Sequence, residues 1–583
     1  MTLPPKLEFD GIAVRYPGRR EPSLADLSFT VGAGERLGVA GRSGAGKSTL
    51  ALVAAGFIPR VVRAIVQGRL IVDGQAQPES GGASLAGTVG IVFSTPTNQL
   101  SASKLTVREE LAFGLENLGV PRAEMDARID AALAFLGIGG LADRAPFALS
   151  GGEQQRVAIA SMVTMGTDVL ILDQPTGQLD PAGTLAVALM LDELASKGSA
   201  IVCAEHDPVV LGRMDRCLVL SGGKAAALAI PGAALGSPTL GPLGLAAPTI
   251  VRLAEALGVA PAEVFDEAAL AVALRDRRGL ASGQDAAPAA PGRTTVAGTP
   301  SPTGVEWVPA PGRRIPAIEV TGLVHRYGAV EAVRSVSLSI APGQRVAIVG
   351  QNGSGKTTLV KHLVGLLRPL SGSVKLDGRD IAGEAIHRLA GQVGFVFQDP
   401  DDQLFSRSVE RELRFGPSNL GMAPDAVARL VDQALEAIGL PSERSTNPYD
   451  LDVSGRKLVA LGSILAMDPA VLVLDEPTTG QDGPGVARVG GIVDAYAAAG
   501  RTIIAITHDM EFAATHFERL VVMRAGDIVA DGSPAEVFAP ANHALLDSTG
   551  LSAPVTARIA SRLGLDVAPL TIESLLAAAR AGA

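Results

Sequence analysis

Apolar and polar positions alternate with a two-residue period over Leu7–Tyr16, which predicts that the chain opens with a β-strand. Arg36–Ala40 is a short apolar run that leads straight into a glycine-rich loop, and Arg345–Val349 does the same much later. The segments after those loops, Thr49–Ala55 and Thr358–Val364, have helix-compatible spacing. A second pair of apolar runs, Val169–Leu172 and Val471–Leu474, each ends in an aspartate. Val409–Leu413 and Ala426–Gly439 read as helices between strands. Strands alternating with helices predict an α/β fold with a mainly parallel sheet.

This order of elements occurs twice. Gly41–Arg42–Ser43–Gly44–Ala45–Gly46–Lys47–Ser48 recurs as Gly350–Gln351–Asn352–Gly353–Ser354–Gly355–Lys356–Thr357. Asp173 and Asp475 lie 302 residues apart, as do His206 and His508. The chain is therefore a tandem duplication. Its expected parts are a first nucleotide domain over 5–230, a helical extension over 231–285, and a linker over 286–316. A second domain then covers 317–540, with its own helical extension over 541–583. The linker carries seven prolines and four charged residues, which predicts an extended spacer containing the single tryptophan, Trp307.

Composition narrows the choice of function. With 47% hydrophobic residues in a 583-residue chain, large cores can form and wholesale disorder is excluded. The formal net charge of −10 argues against a broad nucleic-acid-binding face. Two cysteines, Cys203 and Cys217, cannot build a disulfide scaffold and fit a reducing compartment. The longest uncharged stretch, Ala225–Val251, contains Pro231, Pro238, Pro242 and Pro248, so it is not expected to span a membrane. Residues Met1–Phe9 lack the apolar core of a signal peptide.

The repeated G-x-x-x-x-G-K-[ST] segment has a physical purpose. Gly41, Gly44 and Gly46, and equally Gly350, Gly353 and Gly355, let backbone N–H groups wrap phosphates at a helix N-terminus. Lys47 and Lys356 would reach the β/γ-phosphates of a nucleotide, with Thr49 and Thr358 alongside. Ser48 and Thr357 would ligate Mg²⁺. ATP and Mg²⁺ are the cofactors this implies. Two copies, each followed by a strand ending in aspartate, make an accidental glycine turn untenable.

Leu149–Ser150–Gly151–Gly152–Glu153–Gln154–Gln155–Arg156, upstream of Asp173, resembles the signature of ABC ATPase domains. The resemblance covers both halves and implies two tandem P-loop NTPase domains, each with a mainly parallel core sheet, an antiparallel β part and a helical subdomain. It implies that two such domains pair head to tail, each ATP lying between one phosphate loop and the opposite signature. It also implies adenine stacking by Tyr16 and Tyr327, γ-phosphate contacts by His206 and His508, and nucleotide contacts by Ser150, Gly151, Gly152, Gln154 and Asp173. Phe397–Gln398–Asp399–Pro400–Asp401–Asp402–Gln403–Leu404–Phe405 is similar to the Gln-loop region of energy-coupling-factor ATPases, as is the shorter Asn98–Gln99–Leu100. So are the repeated chain ends, Leu245–Pro248 with Arg252 and Leu551–Pro554 with Arg558. That resemblance implies a transmembrane coupling protein and a separate substrate-binding membrane protein as partners, no nucleic acid, and a place on the cytoplasmic face of the membrane.

The halves depart from the family pattern in opposite places. Glu476 follows Asp475 and can polarise an attacking water as a general base, whereas Gln174 follows Asp173 and an amide cannot take a proton. Gln398 and Asp475 are expected to reach the metal; the residue aligned with Gln398 is Ser94, which is too short. Counting 302 from Ser150 gives Asp452, so the second signature reads Leu451–Asp452–Val453–Ser454–Gly455–Arg456. A carboxylate there would repel a γ-phosphate by about 4 kcal/mol at ~4 Å and an effective dielectric of ~20. Assembled head to tail, every loss falls in one composite site. The other keeps Lys356, Thr357, Gln398, Asp475, Glu476 and His508 opposite Leu149–Gln154. The expected function is an importer ATPase of energy-coupling-factor type with one competent site. The alternatives are the tandem ATPase of a sugar importer and a soluble ABC-class translation factor.

Overall fold

A computed structural model of the chain describes residues 4–77, 85–177, 179–281 and 317–581. The expected linker, with Trp307, lies outside the described residues. The chain divides into two compact units, residues 1–266 and 267–583.

In the first unit the strands are β1 (Leu7–Arg15), β2 (Leu24–Val31), β3 (Arg36–Gly41), β4 (Ile65–Val72), β5 (Gln75–Ala76), β6 (Val89–Val92), β7 (Val169–Asp173), β8 (Ala200–Ala204), β9 (Arg216–Ser221) and β10 (Lys224–Ala229). They form a four-stranded sheet in the order β2-β1-β4-β5 and a six-stranded sheet in the order β10-β9-β3-β8-β7-β6. The smaller sheet is antiparallel. The larger is parallel except for the β9–β10 edge.

The second unit repeats this plan with β11 (Ile318–Tyr327), β12 (Val330–Ile340), β13 (Arg345–Val349), β14 (Ser371–Leu376), β15 (Arg379–Asp380), β16 (Val393–Val396), β17 (Val471–Asp475), β18 (Thr502–Ile506), β19 (Arg519–Arg524) and β20 (Asp527–Gly532). Its sheets run β12-β11-β14-β15 and β16-β17-β18-β13-β19-β20. Every residue of β7, β8, β17 and β18 is buried, as expected for parallel strands covered on both faces.

Three helices enter between β6 and β7: Val107–Asn117, Arg122–Phe135 and Gly151–Met165. Val409–Asn419, Pro424–Ile438 and Val453–Leu465 take the same place in the second unit. The phosphate-loop helices begin two residues earlier than the periodicity suggested, at Lys47 and Lys356. The reason is their N-caps, Gly46 (φ 106°) and Gly355 (φ 101°), whose left-handed backbone lets the loop turn directly into the helix.

The segment expected to form one extension of the first half is divided at the unit boundary. Helix Glu267–Ala281 belongs to the second unit and runs against helices Val555–Arg562 and Ile572–Ala581. Its Leu270, Ala271 and Leu274 are buried. Glu267 accepts hydrogen bonds from Arg558 Nε at 2.9 Å and Arg562 Nε at 3.2 Å. An apolar stripe joined to a charge-assisted pair accounts for the assignment. Among the described residues, no helix is long and apolar enough to cross a membrane.

Candidate functional site

The parallel strands deliver their carboxyl ends to one edge of each six-stranded sheet, where the two glycine loops also lie. Lys47 Nζ donates to the carbonyls of Gly41 (2.8 Å) and Arg42 (2.9 Å), and Lys356 Nζ to those of Gly350 (2.6 Å) and Gln351 (2.9 Å). Each lysine thus closes its own loop by bonding two of the loop's carbonyls. A Cβ on Gly350 would stand 2.3 Å from the Met523 carbonyl oxygen, and one on Gly355 would stand 2.2 Å from that of Ala332. Only glycine permits so close an approach.

In the second unit the cluster is Asp475, Glu476 and His508. Glu476 has φ 49°, a left-handed conformation uncommon for a non-glycine residue, of the sort that collects at functional sites. His508 Nδ1 lies 2.9 Å from a Glu476 oxygen, and the His508 amide donates to the same carboxylate at 3.3 Å. Burial alone would raise the Glu476 pKa, but the facing His508, joined by Lys356 and Lys457, outweighs it and holds the carboxyl below its ordinary range. Burial alone would lower His508, and Glu476 with Asp509 outweighs that, raising it above the usual imidazole value. Asp475 is pushed up to about 7, first by burial and then by the neighbouring Glu476 charge. Lys457 Nζ donates to the Glu476 carbonyl at 3.3 Å; burial pulls its ammonium down to about 8, against the attraction of Glu476, Asp399 and Asp475.

The first unit has the same frame with other side chains. Gln174 occupies the corresponding left-handed position (φ 51°). Asp173 hydrogen-bonds Ser48; burial raises its pKa above the ordinary value, partly offset by Ser48 and Lys47. Tyr16 donates or accepts a 3.2 Å hydrogen bond with Thr49 Oγ1, while Tyr327 is half exposed beside His325. Gln398 is exposed in the bend after β16, and Ser94 is half-buried in the equivalent bend after β6. The Asn98–Gln99–Leu100 and Asp402–Gln403–Leu404 segments pin these bends. Gln99 accepts from Phe93 N (3.1 Å) and donates to Ala158 O (3.2 Å); Gln403 accepts from Phe397 N (3.1 Å) and donates to Ala460 O (2.8 Å).

Ser150 and Asp452 occupy the same structural place, the N-caps of helices Gly151–Met165 and Val453–Leu465. Ser150 forms a capping box with Glu153, and Asp452 Oδ1 accepts from Gly455 N at 2.8 Å. Gln154 is buried and donates to the Pro146 carbonyl at 3.2 Å. His206 follows β8 just as His508 follows β18. Two residues receive no role from the motifs, Glu205 and Lys457. The 302-residue offset would have flagged both, since it pairs them with Thr507 and Gln155.

Asp173 Oδ1 and Asp475 Oδ1 are buried and have no hydrogen-bond partner. An oxygen left open in this way suits a hard cation such as Mg²⁺. Among the described residues there is no group of three or more His, Cys, Asp or Glu side chains that could hold a metal alone. One carboxylate and one hydroxyl per loop fit an ion that is shared with phosphate oxygens.

Comparison with known proteins agrees with this architecture. The ABC transporter family profile matches residues 24–177 and 333–479. A protein of Methanosarcina acetivorans named as an ABC transporter ATP-binding protein is 37% identical over 571 residues, covering 97% of this chain and 92% of its own length. One of the same description from Streptomyces avermitilis is 36% identical over 552 residues, covering 91% and 94%. Among solved structures, cbiO1 from Clostridium perfringens, described as part of the ABC transporter complex cbiONQ, is 33% identical. It covers 43% of this chain and 97% of its own, with a TM-score of 0.38. The chain belongs to the ABC transporter family. It carries two ABC ATP-binding domains in tandem and is an ATPase subunit of a transporter.

The raised Asp475 pKa sets a pH dependence. Between the ordinary value near 3.8 and about 7, the folded chain holds a proton that the unfolded chain has released. Stability therefore falls as pH rises through that window, and the full penalty is present above pH 7. Asp475→Asn should raise the thermal midpoint of the nucleotide-free protein at pH 8, with a smaller gain at pH 5. A gain that grows towards pH 5 would refute this electrostatic assignment.

Proposed function

We propose that this chain energises an importer of the energy-coupling-factor type. Its two halves pair head to tail at the cytoplasmic face of the membrane, one composite site hydrolysing ATP and the other holding it. The partners are a transmembrane coupling protein and a separate membrane protein that binds a vitamin or metal micronutrient. One observation carries the reading: Gln174 and Ser94 lie in one half and the Asp452 signature in the other, so head-to-tail pairing would put every loss in one composite site. Independent decay would have struck both.

In the competent site Lys356 and the loop amides bind the phosphates, and Ser150, Gly151 and Gly152 meet them from the opposite half. Thr357, Gln398 and Asp475 hold Mg²⁺, which when bound offsets the charge of the phosphate oxygens. Glu476, kept ionised by its surroundings, accepts a hydrogen bond from the attacking water and takes its proton. His508 orients that carboxylate and lies beside the departing phosphate. The other site keeps Lys47, Ser48 and Asp173 for binding, with Tyr16 against the adenine, Gln174 and His206 near the terminal phosphate, and no base.

Glu476→Gln should lower steady-state ATP hydrolysis by about 10²-fold or more while ATP binding persists. In that background Gln174→Glu alone should release no further phosphate in a single turnover, because Asp452 and Val453 still disable the opposing signature. Retention of half the activity in Glu476→Gln would overturn the one-base assignment.

The full chain should co-purify with at least one polytopic membrane protein from native membranes. The helical faces around Ser101–Leu118 and Ser406–Leu420 are the docking surfaces, and Phe405 and Phe415 stand half exposed there in edge-to-face contact, 4.7 Å between centroids. Ribosome co-sedimentation without membrane association would select the translation-factor alternative instead.

A further inference from the structure

The base-free first half has not lost its carboxylate; the carboxylate has moved. Gln174 stands where the second half has Glu476, and Glu205 stands where the second half has Thr507. Glu205 is 3% exposed at the end of β8, one strand away from β7. Its Oε2 accepts the His206 amide at 2.7 Å, the counterpart of the His508 amide that Glu476 Oε2 accepts at 3.3 Å. The two halves thus satisfy the same histidine amide with a carboxylate supplied from opposite sides. In the second half it comes from the β17 turn, in the first half from the β8 loop itself.

The remaining contacts differ. Glu205 Oε2 also accepts from Asp207 N at 3.3 Å, and its Oε1 accepts from Thr176 N at 3.0 Å and from the Thr176 hydroxyl. Four donors occupy the four acceptor directions of this carboxylate. Glu476, in contrast, bonds the His508 ring and amide through one oxygen, Oε2. A carboxylate filled in this manner ties the turn after β7 to the loop after β8, and no lone pair remains to take a proton from water.

We infer that Glu205 is a positioning residue, a transposed carboxylate that anchors the His206 loop in the first half so that the loop's geometry no longer depends on residue 174. The inference rests on the reading of the first half as a binding, non-hydrolysing half, and it supplies the reason Gln174 is tolerated there.

The test is rescue by transposing the carboxylate back, read as hydrogen exchange in peptides of the full chain that differ by residue 206. Glu205→Thr, the second half's residue, should speed exchange of the His206 amide by about 10-fold or more, the loss of one charge-assisted hydrogen bond. The new hydroxyl would still serve Asp207 N, as Thr507 Oγ1 accepts from Asp509 N at 3.0 Å. Adding Gln174→Glu should return exchange to within about 2-fold of the parent, which a merely packed side chain would not allow. Should Glu205→Thr fail to fold, Glu205→Met keeps a side chain of similar length with no oxygen acceptor and should show the same loss and the same rescue. Unchanged exchange in Glu205→Thr, or loss without rescue by Gln174→Glu, would overturn the inference. So would phosphate release in a Glu476→Gln background that Glu205→Gln abolishes, because Glu205 would then be a base. Phosphate release there that Glu205→Gln leaves intact would overturn the non-hydrolysing reading while the exchange result still decides the anchor.

Discussion

A parallel sheet brings the ends of its strands to one edge, and in this chain that edge must hold two carboxylates, a lysine and a histidine out of water. Each ion would be costly to bury alone. In the second unit they are tolerable because they face one another: Glu476 is held charged by His508, and Asp475 yields by keeping a proton up to about pH 7. The wholly apolar runs of β17 and β18 fix the backbone positions of these groups, so packing sets the geometry on which the chemistry depends. The left-handed conformation of Glu476 is part of the same constraint, since the chain must turn sharply where the strand ends.

The first unit meets the same constraint with an amide at the strand end. Replacing Glu476's counterpart by Gln174 removes a charge from the strand end, while Glu205 adds one to the neighbouring loop. The backbone amide that needs an acceptor still has one. Asp452 follows a similar logic: it is a satisfactory helix N-cap, accepting from Gly455, as Ser150 is in the first unit. At both positions the local fold is served by either side chain.

Much of this was legible in the residues. The glycine loops, the strand aspartates and the 302-residue offset give the duplicated fold, and the same offset pairs Ser150 with Asp452, which the structure places at equivalent N-caps. Other features were not. The periodicity of Glu267–Ala281 marks an apolar face but cannot say which helices bury it, so its place with Val555–Arg562 and Ile572–Ala581 required the fold. Glu205 and Lys457 were hidden for a different reason. Motif reading attends to the residues a motif names, and these two sit beside the named ones, where their effect depends on distances across neighbouring strands. The glutamines of the Gln-loop region read as one functional unit, yet Gln99 and Gln403 act as staples that hold the bends carrying Ser94 and Gln398.

The central claim is that one of two nucleotide-binding halves can carry out hydrolysis. The direct measurement loads the unmodified full chain with two equivalents of γ-labelled ATP and Mg²⁺ in a rapid-quench experiment. It counts phosphate formed and ATP retained per chain during the first turnover. The account predicts one phosphate formed and one intact ATP still bound; two phosphates per chain at comparable rates would contradict it.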